Sequence, residues 1–175
     1  MAVSPDPIRA SRAYQEHLLG LLGADDPAQV QRATPDAVRA LISKAGADLR
    51  RKPAAGEWSV LELVGHLADA ELVVGSRYRW ALSHDRPDVI GYDQDRWVAS
   101  LRHNDAQPDS LLRLFEPLRA ANLELWARSS TAERGREVLH AERGPESFDM
   151  MFRMLAGHDR FHLQQMEQTL VQIRR

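Results

Sequence analysis

The chain has 175 residues, 43% of them hydrophobic, and a net charge of −2 from 23 Lys+Arg and 25 Asp+Glu. That is enough for a sizeable core, and the scattered cations exclude a phosphate-tracking nucleic-acid face. Mean hydropathy is −0.44, no apolar run approaches the ~20 residues of a membrane span, and the lack of cysteine excludes disulfides, thiolate ligands and a cysteine nucleophile.

The opening residues Met1 to Ser11 carry no basic flank and no apolar stretch, so no signal peptide is expected and the expected location is cytoplasmic. Apolar spacing along the chain is mostly helical. A first helix is predicted from about Pro5 to Leu22, with Ser4 as its cap and Pro5 at its first position. The run Gly23-Ala24-Asp25-Asp26-Pro27 breaks it. A second helix is predicted from Thr34 as N-cap and Pro35 as first residue to near Gly46, with Asp36 favourable to the dipole. Arg50 to Gly56 reads as a loop. Ser59 and Glu62 fit a capping box, and Trp58 with Leu63 the accompanying hydrophobic staple, at the head of a helix reaching about Ser83. His84 to Asp93 reads as loop, with a short helix near Gln94 to Leu101. A long helix is predicted over Pro108–Arg128, kinked at Pro117. Ser129 to Pro145 reads as polar connection. Ser147 caps a last helix that runs nearly to Arg175. There is no internal repeat and no linker, so one domain over 1–175 is expected, an all-α bundle with short extra helices.

Seven histidines are present. His158 and His162 lie about 40° apart on the last helix. Met151, Leu155, Gln165 and Thr169 fall within about 60° of His158 on the same stripe. Spacing i,i+4 lets two imidazoles aim one nitrogen each at a common point. Two core histidines bonded to separate acceptors would also satisfy the pattern, though less economically. His66 sits on the flank of the third helix's apolar stripe and adds one imidazole from a neighbouring element. A three-histidine set leaves a coordination position open for water or substrate, as catalytic sites do. Imidazole suits zinc, nickel, iron and copper. His17 has no partner in register, and His84, His103 and His140 are expected at the surface. Asp69 and Asp159 could orient the histidines, but exposure on a solvated face is the expected reading. Tyr92 and Asp93, in the segment Gly91 to Trp97, are subsidiary candidates for a pocket wall near the metal. The plainer reading is a loop pinned by Tyr92 and Trp97. No serine lies in a G-x-S-x-G turn.

The segment Glu57 to Glu71, centred on Gly65-His66-Leu67, resembles the first metal-ligand motif of the DinB/YfiT-like superfamily. Ala156-Gly157-His158-Asp159-Arg160-Phe161-His162 resembles its second. Leu21 to Leu41 and Tyr92 to Trp97 are similar as well, so the resemblance covers most of the chain in the family's order. It implies a four-helix bundle with up-down-down-up order, often a homodimer. It implies a metal triad at His66, His158 and His162 holding one divalent ion, zinc or nickel ahead of iron or manganese. Phe161 stands where many members have a further histidine, which implies a more apolar pocket. Some relatives are low-molecular-weight-thiol S-transferases or isomerases and others are called metal-dependent hydrolases, so the implied partners are a small-molecule substrate and, for a transferase, an external thiol. Fold does not decide among them. The alternative is a non-catalytic, metal-stabilised protein that binds a small molecule or serves in stress. A bundle with purely structural core histidines is the third reading.

Overall fold

The computed structural model describes residues 10–175. The predicted first-helix start at Pro5, with its Ser4 cap, lies outside these residues. Helix α1 covers Ser11–Leu22 and ends at Gly23, whose positive φ of 63° closes the last turn through a backbone bond to Leu19.

Helix α2 covers Pro27–Ala45, so it begins well before the expected Thr34 cap. Asp26-Pro27 supplies the same cap-plus-proline signal, with the Asp26 carboxylate accepting from the Ala28 N–H at 2.8 Å. Pro35 therefore lies inside the helix, where its missing N–H leaves the Gln31 carbonyl without an i→i−4 donor. Arg119 fills that vacancy, donating to the Gln31 carbonyl at 2.9 Å. Helix α3 covers Val60–Ser83 and starts at the complete Ser59/Glu62 capping box. After it come strand β1 (Asp88–Val89), α4 (Gln94–Ser100) and a 3₁₀ turn at His103–Asp105. Helix α5 (Pro108–Arg128) continues unbroken through Pro117. The predicted polar connection then contains α6 (Thr131–Arg134), β2 (Glu137–His140) and β3 (Gly144–Ser147). Helix α7 covers Phe148–Ile173 under its Ser147 cap.

The side chains fix how the four long helices run. Gln31 meets the Phe152 carbonyl and Arg174 the Lys44 carbonyl, so α2 and α7 are parallel. Glu71 meets Arg119 and Arg79 meets Asn122, so α3 and α5 are parallel. His66 meets His158 while Tyr78 packs on Phe148, so α3 and α7 are antiparallel. The order is up-down-down-up, and the long connection from His84 to Gln107 is what carries the chain back between its two parallel members. Helix α1 packs along α7 so closely that a Cβ on Gly157 would lie 1.9 Å from the Leu18 carbonyl oxygen.

The all-α expectation needs one amendment. β2 pairs antiparallel with β3 and parallel with β1 in a small three-stranded sheet. β2 turns Val138 and His140 inward. One apolar cluster joins α2, α3, α5 and α7 around Val38, Val64, Leu112, Phe115 and Leu170. A second lies under the sheet around Tyr78, Val138, Phe148 and Phe152. There Trp126 stacks on Phe152 at 4.0 Å between ring centres. Full burial of such side chains contributes about 1.5–3 kcal/mol each.

Candidate metal centre

Helix α3 delivers His66, and α7 delivers His158 and His162 one turn apart. All three are buried, and each offers a ring nitrogen within 4.8 Å of the others. The Nε2 atoms of His66 and His158 are 2.9 Å apart. The Nδ1 of His162 donates to the Gln165 side-chain oxygen at 2.9 Å, which leaves the His162 Nε2 lone pair free. The Trp58 ring covers the group from one side, at 5.0 Å from His66 and 6.3 Å from His162.

Burial keeps these imidazoles neutral. It pushes His66 and His158 well below the usual histidine range, helped by the neighbouring rings, and takes His162 down to about 4. Three neutral nitrogens facing one point are a donor set for a divalent ion. Two nitrogens each at about 2.0–2.1 Å from a shared ion lie roughly 3 Å apart, which the His66–His158 spacing matches. The Nδ1 atoms of His66 and His158 are buried without a partner, so protein hydrogen bonds do not account for both rings.

Several side chains expected at the surface are buried around this group. Asp69 and His103 bond to each other at 2.6 Å, both buried. The His103 ring lies directly over Gly65, where a Cβ would come within 2.4 Å of it. The short turn after α4 thus folds back onto α3 rather than into solvent. Asp159 is fully buried and receives both terminal nitrogens of Arg119, at 2.6 and 3.1 Å, and the Thr34 hydroxyl at 2.8 Å. Arg119 Nε reaches Glu71 at 2.7 Å, and Glu71 in turn accepts from Asn122. These bonds tie the α7 turn bearing His158 to α2, α3 and α5. His140 is buried on β2, with Nδ1 2.9 Å from Glu142. His84 is exposed, as expected.

Two cavities flank the histidines. One of about 80 Å³ meets His158 and is walled by Tyr14, Val74, Arg77, Tyr92 and Met151. Another of about 360 Å³ meets His162, with His17, Trp58 and Phe161 on its wall. Gln94 borders both. Tyr92 therefore stands on a pocket wall, braced by Trp97 at 4.7 Å. Asp93 does not: its exposed carboxylate caps α4 by accepting from the Arg96 N–H. Periodicity could not reveal Arg119, Glu71 or His103, whose roles depend on which helices meet. Asp69, one turn after His66, and Asp159, next to His158, are the local hints the sequence offers.

Residues 28–166 match the family model described as the DinB superfamily. A protein of Oceanobacillus iheyensis named "Putative metal-dependent hydrolase" is 26% identical over 108 residues, 62% of each chain. One of the same name from Geobacillus thermodenitrificans is 30% identical over 88 residues, 50% of this chain and 49% of that one. The matched region thus spans about half to three-fifths of these relatives. The fold superposes on YfiT from Bacillus subtilis, described as a probable metal-dependent hydrolase with an unusual four-helix-bundle topology. That match has a TM-score of 0.77 at 17% identity over 98% of this chain and 95% of that one. A mycothiol-dependent maleylpyruvate isomerase matches with a TM-score of 0.56 at 16% identity, over 87% of this chain and 61% of that one. With its helix order, its buried histidine group and the match over 28–166, the chain belongs to the DinB superfamily.

Proposed function

We propose that this protein is a metal-dependent hydrolase whose divalent ion is held by His66, His158 and His162. The observation that carries the reading is the convergence of three buried, neutral imidazoles beside two cavities. When bound, such an ion supplies Lewis-acid activation of a nucleophile near neutral pH. The chain's own residues do the rest. Gln165 holds His162 in the tautomer with a free Nε2. Trp58 shields the rings from bulk water, and Arg119 holds the His158 turn in place through Asp159. The names of the relatives support the metal and the hydrolytic class.

Metal analysis of wild type beside His162→Ala is the test. The expected result is about one equivalent of a transition metal in the wild type, lost in the variant with its helical signal intact. Ester and amide hydrolysis should follow the metal content. Wild type that takes up no zinc, nickel or manganese would end the reading and leave core histidines with a structural role.

The second cavity favours one further reading, transfer to an external thiol. It opens at His162 and has room for a second reactant apart from the cavity at His158. The chain has no thiol of its own, and a cation lowers a bound thiol's pKa. Turnover that requires a low-molecular-weight thiol would favour transfer over hydrolysis. Metal uptake that raises the melting temperature without any turnover would instead favour the non-catalytic alternative.

A further inference from the structure

The cavity at His158 has a charged far end. Arg77 is 4% exposed and lines that cavity. Its one hydrogen bond among the described residues is from Nη2 to the Ile90 carbonyl, at 2.6 Å. No carboxylate lies within ion-pair distance of it among the described residues. Two other charges on this wall are already paired: Arg143 makes two bonds to Glu146, which also accepts from Gln15. Glu142, on the same wall, lies 2.9 Å from Nδ1 of the neutral His140 ring and makes no ion pair with Arg77. A guanidinium taken out of water without an anion is costly unless an anion arrives.

The side of the cavity that α3 and α7 form between Arg77 and the histidines is apolar. His66, Ala70, Val74 and Arg77 lie at i, i+4, i+8 and i+11, on one face of α3. Antiparallel to them, α7 contributes Met151, Met154 and Leu155 on the way to His158. Arg77 is three turns from His66, about 16 Å along the axis, and its side chain leans back toward the helix N-terminus. That leaves on the order of 10 Å between guanidinium and imidazoles, the length of a five- or six-carbon chain with a terminal carboxylate. Tyr14 and Tyr92 line the same cavity. Burial pushes the Tyr14 hydroxyl up to about 12 and also raises Tyr92, so both are neutral donors.

We propose that this cavity binds a short aliphatic carboxylate end-on, its carboxylate on Arg77, its chain along Val74 and Met151, and its far end at the histidines. The substrate class is then a five- or six-carbon carboxylate that reacts at the end remote from the carboxylate. The identity of the reacting end rests on the metal-dependent hydrolase reading. The anion seat does not, so the two can fail separately.

The experiment uses hexanoate and its neutral isostere 1-hexanol as probes, with binding followed by NMR titration. Metal-free wild type should bind hexanoate. Arg77→Gln should weaken it about tenfold or more, the loss expected for a charge-assisted bidentate contact. Arg77→Lys should restore part of the affinity, and hexanol affinity should change little in either variant. His162→Ala should still bind hexanoate, and Arg77→Gln should still bind metal, which separates this seat from the metal centre. In the manganese-loaded protein, paramagnetic broadening should be strongest at the terminal methyl of hexanoate and weakest beside its carboxylate. Equal hexanoate affinity in wild type and Arg77→Gln, or no binding by folded wild type, would overturn the anion seat. The reverse broadening order would place the carboxylate on the metal and overturn the end-on orientation.

Discussion

Arg119 sits where α2, α3, α5 and α7 meet, and every one of its bonds crosses between helices. It satisfies two buried carboxylates, Glu71 and Asp159, and one backbone carbonyl. Burial pushes Glu71 upward, and the guanidinium opposes that shift. Replacing one partner of such a cluster leaves uncompensated charge in a low-dielectric interior. Arg119→Met should therefore cost about 3–5 kcal/mol, read as a drop in urea midpoint followed by circular dichroism. A loss below about 1 kcal/mol, the range of an exposed pair, would mean water reaches these carboxylates. None of this was legible residue by residue. Asp159 reads as a charge beside His158, and only the arrival of α5 shows that it faces inward. His158 and His162 were legible because imidazoles at i,i+4 on an apolar stripe point the same way, and an apolar interior rarely offers each its own acceptor.

At the scale of elements, local signals served where one signal stood alone. The Ser59/Glu62 box marks the start of α3 without competition. The start of α2 was misplaced because Asp26-Pro27 and Thr34-Pro35 are equivalent signals, and a residue from another helix decides between them. The strands were missed because four residues or fewer carry too little alternation to stand out. Helix α1 depends on a glycine of α7: Gly157→Ala would push a methyl into the Leu18 carbonyl. The expected cost is about 1–3 kcal/mol, as for other overpacked contacts. Amide exchange should show α1 losing protection before α3 and α5. Uniform loss across all helices would contradict the assignment of that contact to α1 alone.

The whole molecule should be sensitive to acid. His140 and His162 are pushed down to about 4, and His66 and His158 lie well below 6.5, so the folded state holds them neutral. The unfolded chain takes up protons at each site near pH 6.5. Stability is thus fully present above about pH 6.5 and falls toward pH 4, as the unfolded state binds more protons there. Each such histidine adds about 1.4 kcal/mol per pH unit within that window. For metal-free protein, the unfolding free energy should fall steeply between these limits, and His140→Gln should lower the slope by about one proton. A flat profile between pH 6.5 and 4.5 would show that the imidazoles are charged when folded. Added divalent ion should oppose the loss, because it competes with protons for the same lone pairs.

The vacancy that Pro35 opens in α2 has a consequence for the route to the folded state. A helix normally completes its hydrogen bonds from its own residues and so forms early and locally. In α2 the Gln31 carbonyl waits for a donor 88 positions further along the chain. The middle of α2 is therefore completed only when α5 docks, which ties this helix to a long-range contact. Assembly of the bundle is then expected to centre on α3, which has no internal proline, with α2 consolidating as a late arrival.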